Sequence, residues 1–507
     1  MLFNSPIYIF IFLPIVLATY FLCNHYRLVT VAKSTLVGSS LFFYGYWNPS
    51  YLLLILISIL INFSLGTALT HGPLSTAHFK KSHLSRKFVL TLGICFNLGL
   101  LGYYKYTDFL IWNLNWFFPG ADVAMQNLVL PLAISFFTFQ QIAYLVDSYQ
   151  ADTLEHNFLN YCLFITFFPQ LIAGPIVHHR EMMPQFSRLR NLLPDWHNIA
   201  RGVFIFSIGL FKKVVIADAL AKVANAGFAA PESLSLIEAW VTSLSYTFQL
   251  YYDFSGYTDM AIGAALFFNI RLPFNFFSPY KAVNIQDFWR RWHMTLSRWL
   301  RDYLYIPLGG NRRGRYITYR NILITFFLGG LWHGAGWTFV VWGMLHGVAL
   351  SMHRLWHGFG FRMSALSGWF LTIFFINLTW VPFRADSLSD AWLMIQAMFG
   401  RNGFVLPPLF SSIMQHLSLT LPNIEYRRLI SPISGSYTSL LFLISLLAVL
   451  SFTLPNSMEV GGLSGTSKRM RFKTGWPHRL WVIFALGFSF ATIFSSNVSQ
   501  EFLYFNF

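Results

Sequence analysis

Long apolar runs recur from one end of this 507-residue chain to the other, and they constrain its fold more than any other feature. Hydrophobic residues make up 55% of the chain and charged residues only 11%. Ordinary soluble domains carry about 25% charged residues, because charge is needed to cover a water-facing surface. The sequence therefore predicts a polytopic membrane protein rather than a soluble domain with a single anchor.

The lengths of these runs predict different kinds of segment. The runs lie near 7–23, 35–47, 51–69, 88–104, 128–149, 158–177, 202–217, 234–252, 257–270, 319–331, 337–352, 367–381, 437–454 and 480–496. A full crossing takes about 20 residues, and several runs are shorter. We expect an all-α fold of about 11 spanning helices plus re-entrant and interfacial helices, in one integral-membrane domain over 1–507. The first run lacks the marks of a cleaved signal peptide and is interpreted as a retained helix.

The positive charge predicts how the chain is oriented in the membrane. The net charge is +16, and the basic residues lie in short loops between apolar runs, as the positive-inside rule requires. No nucleic-acid partner is expected from such a distribution. Basic loops follow the first and third runs, fill Lys281–Arg320 and precede the last run. If these loops are cytoplasmic, both termini lie outside, and so does the arginine-containing segment 382–436, contrary to the rule.

Residues that could bind a metal are sparse. The three cysteines stand far apart in apolar runs, which predicts neither a disulfide framework nor a metal site. His353 and His357 are four residues apart, but no carboxylate or cysteine is near them in the sequence. No metal is therefore expected.

The stretch Asp287–Leu304 has the pattern of a helix with two different faces. One face carries Trp289, Trp292, His293, Leu296, Trp299, Leu300 and Tyr303, at spacings of three and four residues. Arginines occupy the other face, and the pairs Asp287–Arg291 and Arg298–Asp302 are each four residues apart. The pattern predicts one helix along the membrane interface, with His293 directed into the protein.

His333 is the leading candidate for chemistry. It lies between two apolar runs, and the residues around it include Gly329, Gly330, Gly334 and Gly336. An ionisable residue at membrane depth is a functional hypothesis by default, and glycines allow a backbone or substrate to approach closely. The imidazole could serve as a general base, or it could be a core histidine bonded to a neighbour. His293 could orient the acceptor or share the proton, or simply fill an apolar face.

Other ionisable residues have two interpretations each. Asp253 and Asp259 lie in an apolar run, so they either line a reaction chamber or belong to a structural network with an arginine such as Arg290. His346 is a weaker chamber candidate. A basic rim is formed by Arg290, Arg291, Arg298, Arg301, Arg312, Arg313 and Arg315. These arginines could serve topology and lipid attraction, or they could recognise the phosphates of a coenzyme.

Four motifs in order resemble the membrane-bound O-acyltransferase (MBOAT) family. They are Asp253–Asp259 (DFSGYTD), Phe288–His293 (FWRRWH), Arg301–Arg312 (RDYLYIPLGGNR) and Leu331–Gly334 (LWHG). The resemblance is greatest to the branch that O-acetylates bacterial alginate. It covers most of the chain, with a motif region of about 130–380, and it includes the segment 169–175 and the tail 502–505. The FWRRWH and LWHG motifs also look like those of the D-alanyl transfer branch.

This resemblance implies a fold and a site. It implies a ring of helices around a thin central wall, with a funnel and a cavity from opposite sides meeting near the two histidines. His333 matches the family's essential histidine and His293 its second histidine. The residues expected to bind donor or substrate are Asp253, Asp259, Arg290, Arg291, Arg298, Trp332 and Asn311.

The function implied is acyl transfer across the inner membrane of a bacterium. The donor is expected to be acetyl-CoA or another acyl thioester, with no permanently bound cofactor. The acceptor is expected to be an exported polysaccharide such as alginate, with membrane lipid and periplasmic relay or polysaccharide-modifying proteins as partners. Two alternatives stay open: D-alanyl or other acyl transfer to a different envelope polymer, and a transporter or flippase, although related halves are not seen.

Overall fold

A computed structural model describes residues 1–70, 85–150, 155, 157–172, 174–406, 425–426, 437–463, 475–495 and 503. The α-helices are α1 (Leu13–His25), α2 (Val29–Gly45), α3 (Ser50–Thr70), α4 (Arg86–Leu101), α5 (Thr107–Phe117), α6 (Ile134–Tyr149), α7 (Phe158–Thr166), α8 (Phe168–Leu171), α9 (His179–Phe186), α10 (Trp196–Phe211), α11 (Asp218–Phe228), α12 (Leu236–Phe267), α13 (Ile285–Trp289), α14 (Met294–Leu300), α15 (Arg315–His333), α16 (Trp337–Gly358), α17 (Ala365–Arg384), α18 (Leu388–Met398), α19 (Tyr437–Thr453), α20 (Ser457–Val460) and α21 (Trp476–Ser495). The predicted all-α class is confirmed.

Shorter elements connect these helices. Wider π-helical segments span Tyr8–Phe12, Gly102–Tyr106, Lys212–Ala217 and Arg301–Tyr305, and 3-10 turns span Leu189–Leu192, Pro231–Ser233 and Pro279–Lys281. Within the described residues, the strands are the two-residue segments β1 (Val405–Leu406) and β2 (Glu425–Tyr426), which pair in parallel.

The protein is embedded in a membrane, as its composition predicted. Among the described residues, the helical segments long and apolar enough to cross a bilayer are Tyr8–His25, Ser50–Thr70, Arg86–Phe117, Ala365–Arg384 and Trp476–Ser495. Large apolar side chains such as Leu53, Leu366 and Ile483 lie exposed on them, as lipid contact would allow. The count of about 11 spans stays a prediction. The loops 71–84 and 464–474 and most of the tail 502–505, used above for orientation and resemblance, lie outside the described residues.

The long helix α12 is the central helix of the structure. It begins with a reciprocal capping box, in which Ser235 and Glu238 satisfy each other's free backbone groups. Nearly all of its residues are buried, and α10 packs closely against it. A Cβ atom at Gly209 would lie 2.5 Å from the carbonyl oxygen of Gly256, so these two glycines set the close crossing.

Two lysines, the buried Lys213 and the largely buried Lys212, tie the segment after α10 to α12. Lys212 Nζ lies 2.7 Å from Asp259 Oδ2, and Lys213 Nζ lies 2.7 Å from Asp253 Oδ1 and 2.8 Å from Asp218 Oδ1. The structural interpretation of Asp253 and Asp259 is therefore the one that the geometry supports, but the predicted arginine partner was wrong. Lysines from a π-helical segment provide the positive charge instead.

The single interfacial helix predicted over Asp287–Leu304 was wrong, because the chain forms α13 and α14 with a break between them. His293 adopts a left-handed conformation with φ of 42° just before α14. At this break Asn275 accepts hydrogen bonds from the backbone N–H of Met294 at 2.9 Å and of Thr295 at 3.4 Å. Bonds from a distant segment thus replace the local ones that a continuous helix would make.

The surface ion pairs of this stretch were predicted in part. Arg291 Nε lies 2.9 Å from Asp287 Oδ1, which confirms the first pair. The second pair was wrong, since Arg298 makes a two-pronged bond to Glu181 at 2.8 and 3.0 Å. Asp302 is bonded to its neighbour Arg301 instead. Glu181 lies on α9, so its pairing with Arg298 depends on a tertiary contact that helix spacing cannot predict.

The helices α15 and α16 form a tight antiparallel hairpin whose turn follows His333. A Cβ atom at Gly330 would lie 2.4 Å from the carbonyl oxygen of Phe339, and one at Gly343 would lie 2.3 Å from that of Phe326. Such contacts are too short for any side chain, so the two backbones touch where small residues allow it. Among the glycines near His333, Gly330 therefore serves backbone approach at this crossing.

Replacing Gly343 by alanine should destabilise the hairpin by about 1–3 kcal/mol, the usual cost of forcing an extra methyl group into a packed site. The matched control is Gly99→Ala in α4, where nothing lies within 4 Å of the added methyl group. Thermal unfolding of both variants in detergent would check this. Equal melting temperatures for Gly343→Ala and the parent protein would contradict the close crossing.

Replacing Lys212 by methionine should lower the free energy of unfolding by about 3–5 kcal/mol, because Asp259 keeps a buried charge without its partner. The double variant Lys212→Met/Asp259→Leu should regain most of that loss. The exposed Lys222 on α11 provides the control Lys222→Met, which should have little effect. Unfolding in detergent measures the stability of all three variants. If Lys212→Met is as stable as the parent protein, the assigned role of the pair is refuted.

Candidate active site

A cavity of about 620 Å³, here called the chamber, leads to His333. Its walls come from α13, α14, α15 and α16 and from the loop after α12, so distant parts of the sequence build it together. The lining includes Arg290, Arg298, Arg301, Arg354 and, among the described residues, no carboxylate. The chamber lining is therefore basic, although Arg298 is paired with Glu181 and Arg301 with Asp302 outside it. The chamber reaches a histidine that is itself 4% exposed.

His333 is the last residue of α15, and aromatic rings enclose its imidazole. The ring centroids of Trp342 and Phe383 lie 5.0 and 5.3 Å away, both nearly perpendicular to it. Gly329 lies one helical turn earlier and also lines the chamber. A Cβ atom at Gly329 would meet only Leu300 at 3.4 Å, so this glycine leaves space on the path to His333.

Two residues from the π-helical segment after α4 hold the end of α15. Lys105 Nζ donates to the carbonyl oxygens of Trp332 and, at 3.2 Å, of His333. The Tyr106 hydroxyl donates to the carbonyl oxygen of Leu331 at 2.7 Å. The last carbonyl groups of a helix lack hydrogen-bond partners within the helix. A positive charge at this end also interacts favourably with the negative end of the helix dipole.

Sequence reasoning missed these two residues. A signal was present, since Lys105 is a charged residue between the apolar stretches of the Arg86–Phe117 segment, with Asp108 three residues after it. Such a residue needs a partner by the argument that singled out His333. The identity of the partner required the tertiary structure.

His293 lies close to His333, with 6.4 Å between the two ring centroids. It is completely buried, and its ring meets the ring of Phe254 from α12 edge to face at 4.8 Å. A left-handed backbone is uncommon for a residue other than glycine, and such strained positions cluster at functional sites. The structure thus brings the two predicted histidines together, while their chemical roles stay predictions.

The predicted binding residues do not all line the chamber. Arg290 and Arg298 line the chamber, whereas Arg291 is bonded to Asp287 and is not part of the lining. Trp332 packs its ring against Phe139 from α6, with 5.1 Å between the ring centroids, and does not line the chamber either.

Asn311 belongs to a second cavity beside the chamber. This adjoining cavity encloses about 330 Å³, and it shares Arg354 with the chamber. Arg354 donates to the side-chain oxygen of Asn311 at 3.2 Å, and Tyr305 is bonded to the same oxygen. Arg315 also lines the adjoining cavity. Sequence reasoning missed Arg354, which lies on α16 far from the arginines of the 290–315 stretch.

Asp253 and Asp259 do not line the chamber. Their carboxylates face Lys213 and Lys212, and Asp253 also accepts a hydrogen bond from the backbone N–H of Leu503 at 3.1 Å. This network lies between α12 and the Lys212–Ala217 segment. The opening expected from the opposite membrane side toward His333 stays a prediction.

Comparison with known proteins gives this arrangement a family. Residues 125–381 match the profile of the MBOAT, membrane-bound O-acyltransferase family. The peptidoglycan O-acetyltransferase of Helicobacter pylori is 46% identical over 538 residues, covering 100% of this chain and 98% of that protein. Probable alginate O-acetylases of Azotobacter vinelandii and Pseudomonas aeruginosa are 38% and 39% identical, over 84% and 81% of this chain and 83% and 77% of those proteins.

The matched region contains both histidines, the chamber and all four motifs of the sequence analysis, and the relatives match across most or all of their length. The expectation of an enzyme rather than a transporter is confirmed. This helical membrane protein belongs to the membrane-bound O-acyltransferase family, and it is an acyltransferase.

Proposed function

We propose that this protein moves an acetyl group from a cytosolic thioester across the membrane, for O-acetylation of a cell-envelope polysaccharide. The observation that carries the proposal is the chamber, whose lining contains both the imidazole of His333 and four arginines, namely Arg290, Arg298, Arg301 and Arg354. A phosphate-bearing thioester fits such a passage, with its charges at the rim and its reactive end at the histidine.

The donor is acetyl-CoA or another acyl thioester that carries phosphate groups. Arginine suits phosphate, because its planar fork can donate two parallel hydrogen bonds. The chamber and the adjoining cavity share Arg354, so one extended ligand could occupy both. This arrangement gives Asn311 and Arg315 a role on the donor side, near the phosphates rather than the thioester.

In the proposed reaction His333 acts as the general base. It takes the proton of an acceptor hydroxyl while that oxygen attacks the thioester carbonyl carbon and the carbon–sulfur bond breaks. The proton then passes to the departing sulfur, which leaves as a free thiol. In an acyl-histidine route, an imidazole nitrogen would attack the thioester first, forming a carbon–nitrogen bond as the carbon–sulfur bond breaks. A rapid-quench experiment distinguishes the two routes, and the general-base route predicts that no acyl-enzyme is trapped. His293, close beside His333, orients the acceptor or shares the proton.

The final acceptor is proposed to be peptidoglycan in place of the alginate first expected. The supporting observation is that the peptidoglycan O-acetyltransferase of Helicobacter pylori matches the chain over its whole length at higher identity than the alginate relatives. The transfer takes place in the inner membrane of a bacterium, with both termini outside. A periplasmic partner receives the acetyl group or modifies the polymer, since no activated donor is expected there.

The variant His333→Ala should abolish acetylation of the polymer while the protein still inserts into the membrane at normal levels. General-base help is worth about 10²–10⁴-fold in rate, so ester-linked acetyl on isolated muropeptides should fall to background. His357→Ala, at the exposed end of α16, is the control and should leave acetylation unchanged.

Acetyl analysis of muropeptides and of secreted polysaccharide from the same cells makes this measurement. Normal acetylation of both polymers in His333→Ala cells would refute the role of His333. Loss from the secreted polysaccharide alone would reject peptidoglycan as the acceptor and leave the enzyme assignment in place.

Arg290→Ala should raise the KM for acetyl-CoA about tenfold, which corresponds to about 1.4 kcal/mol, with little change in kcat. The side chain lines the chamber, so its loss weakens donor binding without touching the reacting atoms. The neighbouring variant Arg291→Ala removes the same charge outside the chamber and should leave KM unchanged. Thiol release by purified protein gives both constants, and equal effects of the two variants would contradict donor binding in the chamber.

A further inference from the structure

A third histidine, His346, lies behind the chamber and is bonded through both ring nitrogens. The indole N–H of Trp289 donates to His346 Nδ1 at 3.2 Å, and His346 Nε2 lies 3.1 Å from the hydroxyl of Thr379. An indole can only donate, so Nδ1 is the acceptor and Nε2 carries the hydrogen. The Thr379 hydroxyl donates its own hydrogen to the carbonyl oxygen of Ile376 at 3.0 Å, which leaves it free to accept from Nε2.

This chain of bonds fixes one uncharged tautomer of a fully buried ring. His346 does not line the chamber, and both of its nitrogens are already used by partners that hold it in place. A second proton on the ring would displace the indole N–H of Trp289. The proton transfer proposed for His333 does not use His346. A role for His346 therefore lies in the side chains that it keeps in position.

What His346 holds is one wall of the chamber next to His333. Trp289 and Trp342 both line the chamber, with 5.9 Å between their ring centroids. The ring of His346 lies 5.1 Å from that of Trp289 and 4.8 Å from that of Trp342. Trp342 in turn lies 5.0 Å from His333, so the wall extends from the bonded histidine to the proposed base.

Further tryptophans support this wall from behind. Trp380 stacks on Trp342 at 5.8 Å, and Trp292 lies 5.1 Å from Trp380. All three rings are almost completely buried. Interiors packed in this way have little free volume, so the wall cannot move back to admit a long chain without losing contacts.

We propose that His346 is a positioning residue that holds Trp289 beside Trp342, and that these two rings restrict the acyl group at His333 to a short one. The inference rests on the proposed function and deepens it, because it names the residues that decide acyl length. Acetyl fits beside the rings, whereas a medium or long acyl chain would have to displace them.

The test uses purified full-length protein in liposomes with acetyl-CoA, butanoyl-CoA and octanoyl-CoA, measured by thiol release. The parent protein should prefer acetyl-CoA over octanoyl-CoA in kcat/KM, and His346→Ala should reduce that preference at least tenfold. Trp289→Phe removes the indole N–H that is bonded to His346 and also makes the ring smaller, so it should reduce the preference at least as much as His346→Ala, and the double variant should add nothing. His346→Asn keeps an acceptor near the Nδ1 position and should restore the preference.

The outcomes separate this inference from the proposed function. An unchanged preference in His346→Ala and Trp289→Phe would overturn it, and so would an equal loss of rate on all three thioesters, which marks a merely structural role. If His346→Ala does not fold, Trp289→Phe alone decides. A parent protein that releases no thiol from any of the three would reject the proposed donor, and this inference with it.

Discussion

The end of α15 inside the protein is the constraint on which the rest of the site depends. The hairpin of α15 and α16 turns directly after His333, and the final carbonyl groups of α15 need hydrogen-bond donors where water is scarce. Lys105 and Tyr106 supply them from a neighbouring segment. Because these bonds fix the end of the helix, the imidazole is held where the chamber ends and not on a mobile loop.

Packing transmits that placement to the rest of the active site. The close contact at Gly330 and Gly343 sets the distance between the two helices of the hairpin. That distance in turn sets where Trp342 lies relative to His333 and how wide the chamber is at its end. Charge is arranged separately, since the arginines lie around the chamber and the carboxylates of α12 are paired with lysines away from it. A thioester can thus meet positive charge first and an apolar, enclosed histidine last.

The sequence predicted those features that depend on composition and on local pattern. The apolar runs located most of the helices, and the spacing in the 287–304 stretch identified the buried positions Trp292, Leu296 and Trp299. The break at His293 could not be predicted, because Asn275 provides the competing hydrogen bonds from outside the stretch. The same holds for the lysine partners of Asp253 and Asp259, and for the placement of Arg354 beside Asn311. These contacts join segments that are distant in the chain, so the periodicity of the sequence cannot predict them.

The most direct measurement is a cryo-electron-microscopy structure of the protein in a lipid nanodisc with a non-hydrolysable acetyl-CoA analogue. The account predicts that the analogue lies in the chamber, with its phosphates among Arg290, Arg298 and Arg354 and its acetyl carbonyl beside the imidazole of His333. An analogue bound elsewhere with the chamber empty, or one whose phosphates lie on the opposite side of the membrane from these arginines, would contradict it.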